Sequence, residues 1–458
     1  RHEDRRGTKR QAFELPQASI GEGKVGSESP PQMKLLVIGS GGREHALAWR
    51  LAQNPNVQRV YVAPGNAGTA HEGGLVNVDI TGIADLLKFA LDEKIHLTVV
   101  GPEAPLAAGV VDTFQAAGLK IFGPTQRAAQ LESSKDFAKQ FMVRHNIPTS
   151  KYATFTNAVE ARAYIKQEGA PIVIKADGLA AGKGVVVAMT LHDALAAVDA
   201  MFTVSKAGGP GATGYRVVIE EFMQGEEASF ICMCDGVHAL PFASSQDHKR
   251  IFDGDLGPNT GGMGAYSPAP VVTSEVHARA MREVIMPTLR GMAAEGAPFT
   301  GFLYAGLMID AEGNPRVVEF NARMGDPETQ PIMMRLRSDF LTLVEHAIAG
   351  TLDRIDAEWD RRAALGVVMA AGGYPDSPLK GDEITGLPAS SADARVFHAG
   401  TTEIDGKTVT NGGRVLCVTA LGDTVKIARQ RAYQMLEPIR FDGMQYRHDI
   451  GHRAIDRH

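Results

Sequence analysis

Two lysines stand in and around a loop of small residues in the stretch IKADGLAAGKGVVVA, Ile174 to Ala188. An ordinary strand connection has no use for an ammonium at the end of an apolar run. A phosphate does, because lysine is a point charge on a long stem and neutralises an anion without fixed fork geometry. The P-loop pattern would require Gly-x4-Gly-Lys-Ser/Thr. Here only three residues separate Gly178 from Gly182, and Gly184 follows Lys183. The spacing therefore predicts a small-residue lid between two antiparallel strands, with Lys175 aimed at a phosphate. The bland alternative for Lys175 is a strand lysine that snorkels to solvent.

Downstream, VVEFNARMGDPETQ places Glu319 and Asn321 two apart. In a strand they share a face, and a carboxylate plus an amide oxygen is a donor set for a hard cation such as Mg²⁺, which is completed by phosphate oxygens. Near the start, GSGGREHA follows an apolar run and opens a helical pattern. Backbone N–H groups at a helix N-terminus attract anions, so a phosphate is expected there, with a plain strand-to-helix turn as the alternative. A dinucleotide fingerprint would need glycine where Glu44 stands, so a single phosphate, such as that of a sugar phosphate, is expected. His248, Lys249 and Arg250 form a basic run that reads either as a phosphate grip or as a solvated face. Cys232 and Cys234 fall on one face of a strand-like run. With no second ligand pair beside them they read as core.

These residues must be held by elements legible in the pattern. Short apolar runs ending in Gly or Pro (KLLVIG, RVYVAPGN, LTVVGPE, LKIFGPT) alternate with helical stretches from Met33 onward, which implies a parallel sheet with ligands at the carboxyl ends of its strands. Hairpins follow: SFICMCDGVHALPFA turns at Asp235-Gly236, and LYAGLMIDAEGNPRVVEFN turns near Gly313. A helix (DFLTLVEHAIAG), short strands (GVVMAAGG, RVLCVTA) and a closing helix from about Asp423 to Leu436 complete the chain. Residues 1–32 are charged and then Gly, Ser and Pro-rich, a composition that cannot bury a core. They read as a disordered leader or an expression remnant, with a cleaved transit peptide as runner-up. The chain has 458 residues, a net charge of −6, three cysteines and no long apolar run. This argues against a large nucleic-acid surface, though a local basic patch could hide in the sum, and against a disulfide scaffold and a membrane helix.

Taken together, these stretches resemble the ATP-grasp superfamily and, within it, the glycinamide ribonucleotide synthetases. The resemblance covers nearly all of 33–458 and rests also on GNAG, GPEAPL, ESSKDFAK, EEFMQGEEASF and DHKRIFDGDLGPNTGGMGAYSPAP. It implies an α/β fold: an N-terminal parallel-sheet, Rossmann-like pre-ATP-grasp domain over 33–133, an ATP-grasp domain over 134–330 with a lid subdomain at about 150–220, and a small C-terminal α+β domain over 331–458. It implies that Lys135 and Lys175 contact nucleotide phosphates and that Gly178, Gly182, Lys183 and Gly184 form the lid. By the same resemblance Glu220, Glu221, Phe222 and Met223 form the hinge that reads adenine, Glu227 binds ribose hydroxyls, and Glu319 and Asn321 hold Mg²⁺, with Mn²⁺ as an alternative. The product side is placed at Gly41, Gly42, Asn66, Gly68, Asp247, Asn259, Thr260, Arg323 and Asp326. Catalytic roles fall to Arg323, Lys175 and Asp326, with a structural ion pair as the alternative for Arg323. Two departures stand out: Gly306 occupies a place where many ATP-grasp enzymes carry an aspartate, and Met324 one where Phe is expected.

The implied activity is ATP-dependent ligation of glycine to 5-phosphoribosylamine through glycyl phosphate, in purine biosynthesis. The implied partners are those substrates alone, without nucleic acid or membrane. The protein is expected to be a cytoplasmic, monofunctional monomer, with transient handover from the preceding pathway enzyme as an option. Rival readings are another ATP-grasp ligase such as a carboxylase component, a nicotinamide dehydrogenase on the first domain, and a non-catalytic nucleotide-binding module. Glu44, the GPNTGGMGAYSPAP run and the intact lysines and metal ligands argue against them.

Overall fold

The computed structural model describes residues 32–178, 184–203 and 215–457. The expectations for residues 1–31 and for Gly182 and Lys183 lie outside these. The first region is a five-stranded parallel sheet in the order Leu75–Asn77, Val57–Pro64, Met33–Gly39, Leu97–Val100, Ile121–Phe122. Its central strands are apolar without alternation because both faces are covered; Leu35, Leu36 and Val37 are fully buried. The strand order reverses at the central strand Met33–Gly39. That brings the loop after Gly39 beside the loop after Val100, at the carboxyl ends where such sheets bind ligands.

Two antiparallel sheets form the middle of the chain. One runs Ala239–Pro241, Glu226–Asp235, Thr300–Ile309, Pro315–Asn321, with its hairpins turning at Gly236 and Gly313, both at positive φ. Gly306 pairs with Glu319 and Leu307 with Val317, so Val318 is an extra residue in a bulge. Beyond the bulge the pairing is regular, and Glu319 and Asn321 stay on one face. The other sheet runs Tyr152–Phe155, Val217–Glu221, Ile172–Ala176, Val185–Ala188. The helices Ala158–Glu168 and Leu191–Thr203 cover it around a small core of its own. The strands Ile172–Ala176 and Val185–Ala188 are antiparallel neighbours, as the lid reading requires.

The last sheet runs Gln246–Asp247, Gly264–Ser267, Ala363–Ala370, Arg414–Gly422, Ala394–His398. Its first two strands come from the middle of the chain, so the segment around 247–264 is built into the C-terminal layer. The closing helix runs Val425–Leu436, capped by the Thr424 side chain. Cys232 and Cys234 are fully buried core residues, and Met324 packs in the core where Phe was expected. Among the described residues no helix is long and apolar enough to cross a membrane.

Candidate active site

The loops and sheets above converge on one cleft, lined by Lys135, Lys139, Lys175, Gly178, Gly184 and Glu220 on the lid side and by Glu319, Asn321 and Arg323 on the central sheet. Arg43, Glu103, Glu132, Asp247, Lys249, Asn259, Thr260, Asp326, Glu328 and Arg414 close its other walls.

Lys175, one residue before the end of its strand, is two residues out of register with Glu220 on the neighbouring strand: Val173 opposes Glu220 and Lys175 opposes Val218. This diagonal lets a long side chain reach the carboxylate. Lys139 lies one helical turn beyond Lys135 on the helix Lys135–Arg144 and approaches from the other side. Glu220, only 3% exposed, is ion-paired to both Lys139 and Lys175 and accepts from Ser150 Oγ at 3.0 Å. Burial pushes the Glu220 carboxyl up, but Lys175 and Lys139 outweigh it and hold it at about 2. Two cations share this one carboxylate, so burial prevails on Lys139, which falls to about 8. Lys175 also donates to the Val318 carbonyl at 3.1 Å, the group freed by the bulge. Lys135 donates to the Gly178 carbonyl at 2.6 Å, and Asp177 accepts from the Lys135 N–H at 2.6 Å. The segment Asp177–Gly178 is thereby tied to the start of a helix.

Glu319 faces four cations. Burial would raise its carboxyl, but Lys249, Lys175, Lys135 and Arg323 hold it below the usual range. An ionised carboxylate beside a neutral amide oxygen fits a hard divalent cation. Gly306, directly opposite Glu319 in the pairing, adds no second carboxylate. Lys249 pairs with Glu227 at 2.6 Å, and although burial opposes its charge, Glu227, Asp247 and Glu319 keep the ammonium firmly protonated. Asp247 goes the other way, its carboxyl pushed up to about 7, chiefly by burial. Thr260 donates to the Lys249 carbonyl at 2.8 Å and receives the Gly262 N–H at 3.0 Å.

Arg323 donates to Glu103 at 3.2 Å and pairs with Glu132 at 2.9 Å, while still lining the cleft. Asp326 receives the Arg43 N–H at 3.3 Å and the Gln330 amide at 2.8 Å; burial would raise its carboxyl, but Arg414 and Arg43 hold it low.

The glycine-rich loop holds a surprise for the sequence reading. Glu44 reaches back to accept the Gly41 N–H at 2.9 Å and is bonded by Arg43 Nε at 2.5 Å. A Cβ on Gly39 or Gly101 would sit 2.3 or 2.4 Å from the Glu44 side chain. The glycines thus make room for this glutamate, and neither Gly41 nor Gly42 lines the cleft among the described residues. Asn66 caps a short helix through Gly68 and Thr69 and donates to the Ser40 and His398 carbonyls at 2.9 and 2.8 Å. Gly68 lies against His398. In this geometry Asn66 and Gly68 join the first region to the last. Of the hinge, Glu220 lines the cleft, whereas Glu221, Phe222, Met223 and Glu227 lie outside its lining.

Sequence reasoning passed over Lys139, Asp177, Glu103, Glu132, Arg43 and Arg414. The first could have been found four residues after Lys135, and Asp177 and Glu132 stand inside quoted motifs.

The three domain models of phosphoribosylglycinamide synthetase match this chain in order: the N domain over 33–132, the ATP-grasp (A) domain over 133–329 and the C domain over 364–453. The chain is 65% identical over 425 residues to a phosphoribosylamine–glycine ligase of Ralstonia nicotianae, covering 93% of this chain and all of the relative. It is 66% identical over 426 residues to one of Neisseria meningitidis serogroup A, with the same coverage. The crystal structure of a phosphoribosylamine–glycine ligase from Thermotoga maritima superposes with a TM-score of 0.79 at 36% identity, over 91% of this chain and 100% of that one. A biotin carboxylase of Campylobacter jejuni shares the fold at a TM-score of 0.69 and 13% identity, covering 90% of this chain and 92% of that one. On three matched domains and relatives aligned end to end, the chain belongs to the phosphoribosylglycinamide synthetase family of ATP-grasp ligases.

Proposed function

We propose that the protein joins glycine to 5-phosphoribosylamine at the expense of ATP, giving glycinamide ribonucleotide, ADP and phosphate. The observation that carries this reading is the meeting of Lys135, Lys175 and Lys249 around Glu319 and Asn321 in one cleft walled by all three matched domains. A carboxylate is a poor acyl donor at neutral pH, so glycine is first phosphorylated. Its carboxylate oxygen takes the terminal phosphoryl of ATP, releasing ADP and leaving glycyl phosphate. The amine nitrogen then attacks the acyl carbon, the C–O bond to phosphate breaks, and the ammonium proton is lost. Little covalent work falls to the protein, which positions the reactants and compensates charge.

Lys135 and Lys175 lie where they would neutralise phosphate oxygens, and Gly178 and Gly184 open the lid that closes over the nucleotide. Excluding water matters because an acyl phosphate otherwise hydrolyses. Glu319 and Asn321 would hold Mg²⁺, which when bound supplies charge neutralisation on the phosphates; Mn²⁺ is proposed as a substitute with the same oxygen donors. Arg323 and Asp326 flank the space left for the acyl group. Asp247, Asn259 and Thr260 are proposed to hold phosphoribosylamine. Arg43 and Arg414, which line the same cleft, offer its phosphate a guanidinium surface that the Glu44-filled loop does not. The protein is proposed to act as a cytoplasmic monomer that takes its labile amine by transient handover.

The test is ADP release measured with each substrate omitted in turn. Turnover requiring both glycine and phosphoribosylamine supports the reading. Release independent of either one, or equal rates with alanine in place of glycine, overturns it.

A further inference from the structure

The end of the chain reaches the cleft at a hairpin and at the residues that lead into it. The strands Arg250–Phe252 and Leu256–Asn259 form the hairpin. Its base carries Asp247, Lys249, Asn259 and Thr260, all of which line the cleft. Its tip turns through Gly254 and Asp255, both at positive φ. Phe252 and Leu256 on its strands are 55% and 64% exposed, so the hairpin has little apolar core of its own to fix it.

Ile251 anchors one strand in the core, and a polar fastening comes from residues 447–453. Arg447 is fully buried, 0% exposed. It donates to the Arg250 carbonyl at 3.2 Å and to Asp255 at 2.9 Å, and makes a two-pronged contact with Asp449 at 2.8 Å on each prong. Asp449 in turn accepts the Gly254 N–H at 3.0 Å. Arg453 donates to the Asp247 carbonyl at 2.5 Å. The Gly451 N–H donates to His248 Nε2 at 3.0 Å.

His248, Asp255 and His452 lie close enough together to resemble a metal trio. The Gly451 contact argues against it: an Nε2 that accepts an N–H leaves the proton of a neutral imidazole on Nδ1, so His248 turns a donor toward the trio. The three belong to the same fastening.

We propose that Arg447 and Arg453 are positioning residues for the ligation, pinning both ends of this hairpin so that Asp247, Lys249, Asn259 and Thr260 meet phosphoribosylamine in register. The proposal rests on the ligase reading above and adds to it that the C-terminal segment is part of the substrate site's support. A guanidinium suits the task because its planar fork fixes carbonyls and carboxylates in direction as well as distance.

The experiment uses the full chain and the variants Arg453→Met, Arg453→Lys and Arg447→Lys. Arg453→Met keeps the apolar stem and removes one hydrogen bond, so it is expected to fold, with a melting temperature within about 2 °C of wild type. Its kcat/KM for phosphoribosylamine should fall about tenfold to a hundredfold, mostly through KM, as displaced substrate-positioning groups do. The KM for glycine should stay unchanged, and Arg453→Lys should recover most of the loss by restoring the donor. Arg447→Lys should lose more, because an ammonium cannot replace the fork. Backbone amide exchange across 250–259 is read in parallel and should quicken in Arg453→Met and Arg447→Lys. Unchanged exchange in both variants overturns the clamp. Faster exchange with wild-type kcat/KM overturns the positioning role, as does a loss that Arg453→Lys fails to restore. Absence of ligation in the wild-type chain, with the exchange pattern as described, overturns the ligase reading and with it the role in ligation, while the fastening itself stands.

Discussion

Replacing Glu220 by Gln keeps the shape of the side chain and removes the one carboxylate that Lys139 and Lys175 share. Glu220 is 3% exposed and its pairs are with groups equally buried. The carboxyl is held at about 2 against an ordinary value of 4.5, and two to three pH units of displacement correspond to about 3 kcal/mol. Breaking a buried pair by removing one partner has a typical cost of about 3–5 kcal/mol, so both routes agree. A depressed carboxyl contributes its stability above the unfolded value. That contribution is lost as the pH falls from about 4.5 toward 2, so the gap between wild type and variant should be full at pH 7 and close on acidification. On the alkaline side the gap should narrow again above about 8, where Lys139 can shed its proton. The assay is denaturation of both proteins at pH 4, 7 and 9, together with the KM for ATP. Without its counter-ion Lys175 loses the partner that fixes its side chain at the cleft, and the KM for ATP should rise about tenfold, the equivalent of roughly 1.4 kcal/mol. Equal stability at pH 7 would refute the charge argument. An unchanged KM for ATP beside lost stability would mean that the Glu220 side chain does not serve the nucleotide.

Other outcomes follow from the same geometry. Glu319→Ala should lower turnover at least a hundredfold, a loss of a few kcal/mol of charge stabilisation, and Asn321→Ala less, because it removes a neutral donor. Steady-state ADP release across a magnesium titration checks both, and wild-type turnover in Glu319→Ala would place the metal elsewhere. The Asp247 carboxyl is raised to about 7, so the folded state holds its proton longer than the unfolded chain does and the contribution of Asp247 to stability should decline as the pH rises from about 4 to 7. Asp247→Asn should remove that decline, gain up to about 4 kcal/mol at pH 8 and lose ligation; denaturation over this range and the ADP assay test it. Gly68→Ala puts a methyl 2.5 Å from the His398 ring and should cost about 1–3 kcal/mol of stability, seen as a lower melting temperature, with kinetic constants little changed.

The order of elements was legible because periodicity and turn residues are local. The strand–helix alternation after Met33, the turns at Gly236 and Gly313 and the Thr424-capped last helix can all be read within about a dozen residues. The face shared by Glu319 and Asn321 was legible for the same reason, since the bulge falls at Val318 and leaves the two beyond it in phase. Long-range partnership was not legible. Nothing in the spacing says that Gln246–Asp247 and Gly264–Ser267 join a sheet with residues about a hundred positions away, or that Arg414 enters a cleft whose other walls lie before residue 330. Lys139 was recoverable in principle, since four residues place it on the face of Lys135, but without its partner in view it read as an ordinary helix lysine.

Glu44 shows how a correct exclusion can rest on an incomplete reason. In the sequence it counted only as a missing glycine, a reason to reject a dinucleotide while keeping a phosphate at the helix start. In the structure its carboxylate is itself the anion at that position, taking the Gly41 N–H, while Asp326 takes the Arg43 N–H. A phosphate brought there would meet two carboxylates and two amides already engaged, and at about 4 Å each like-charge contact costs about 4 kcal/mol near a protein surface. Arg43 balances Glu44 within the wall and still presents itself to the cleft. The loop that looked like an anion site therefore serves to fix a guanidinium, and the positive surface of this end of the cleft is made by Arg43 and Arg414 rather than by the helix end.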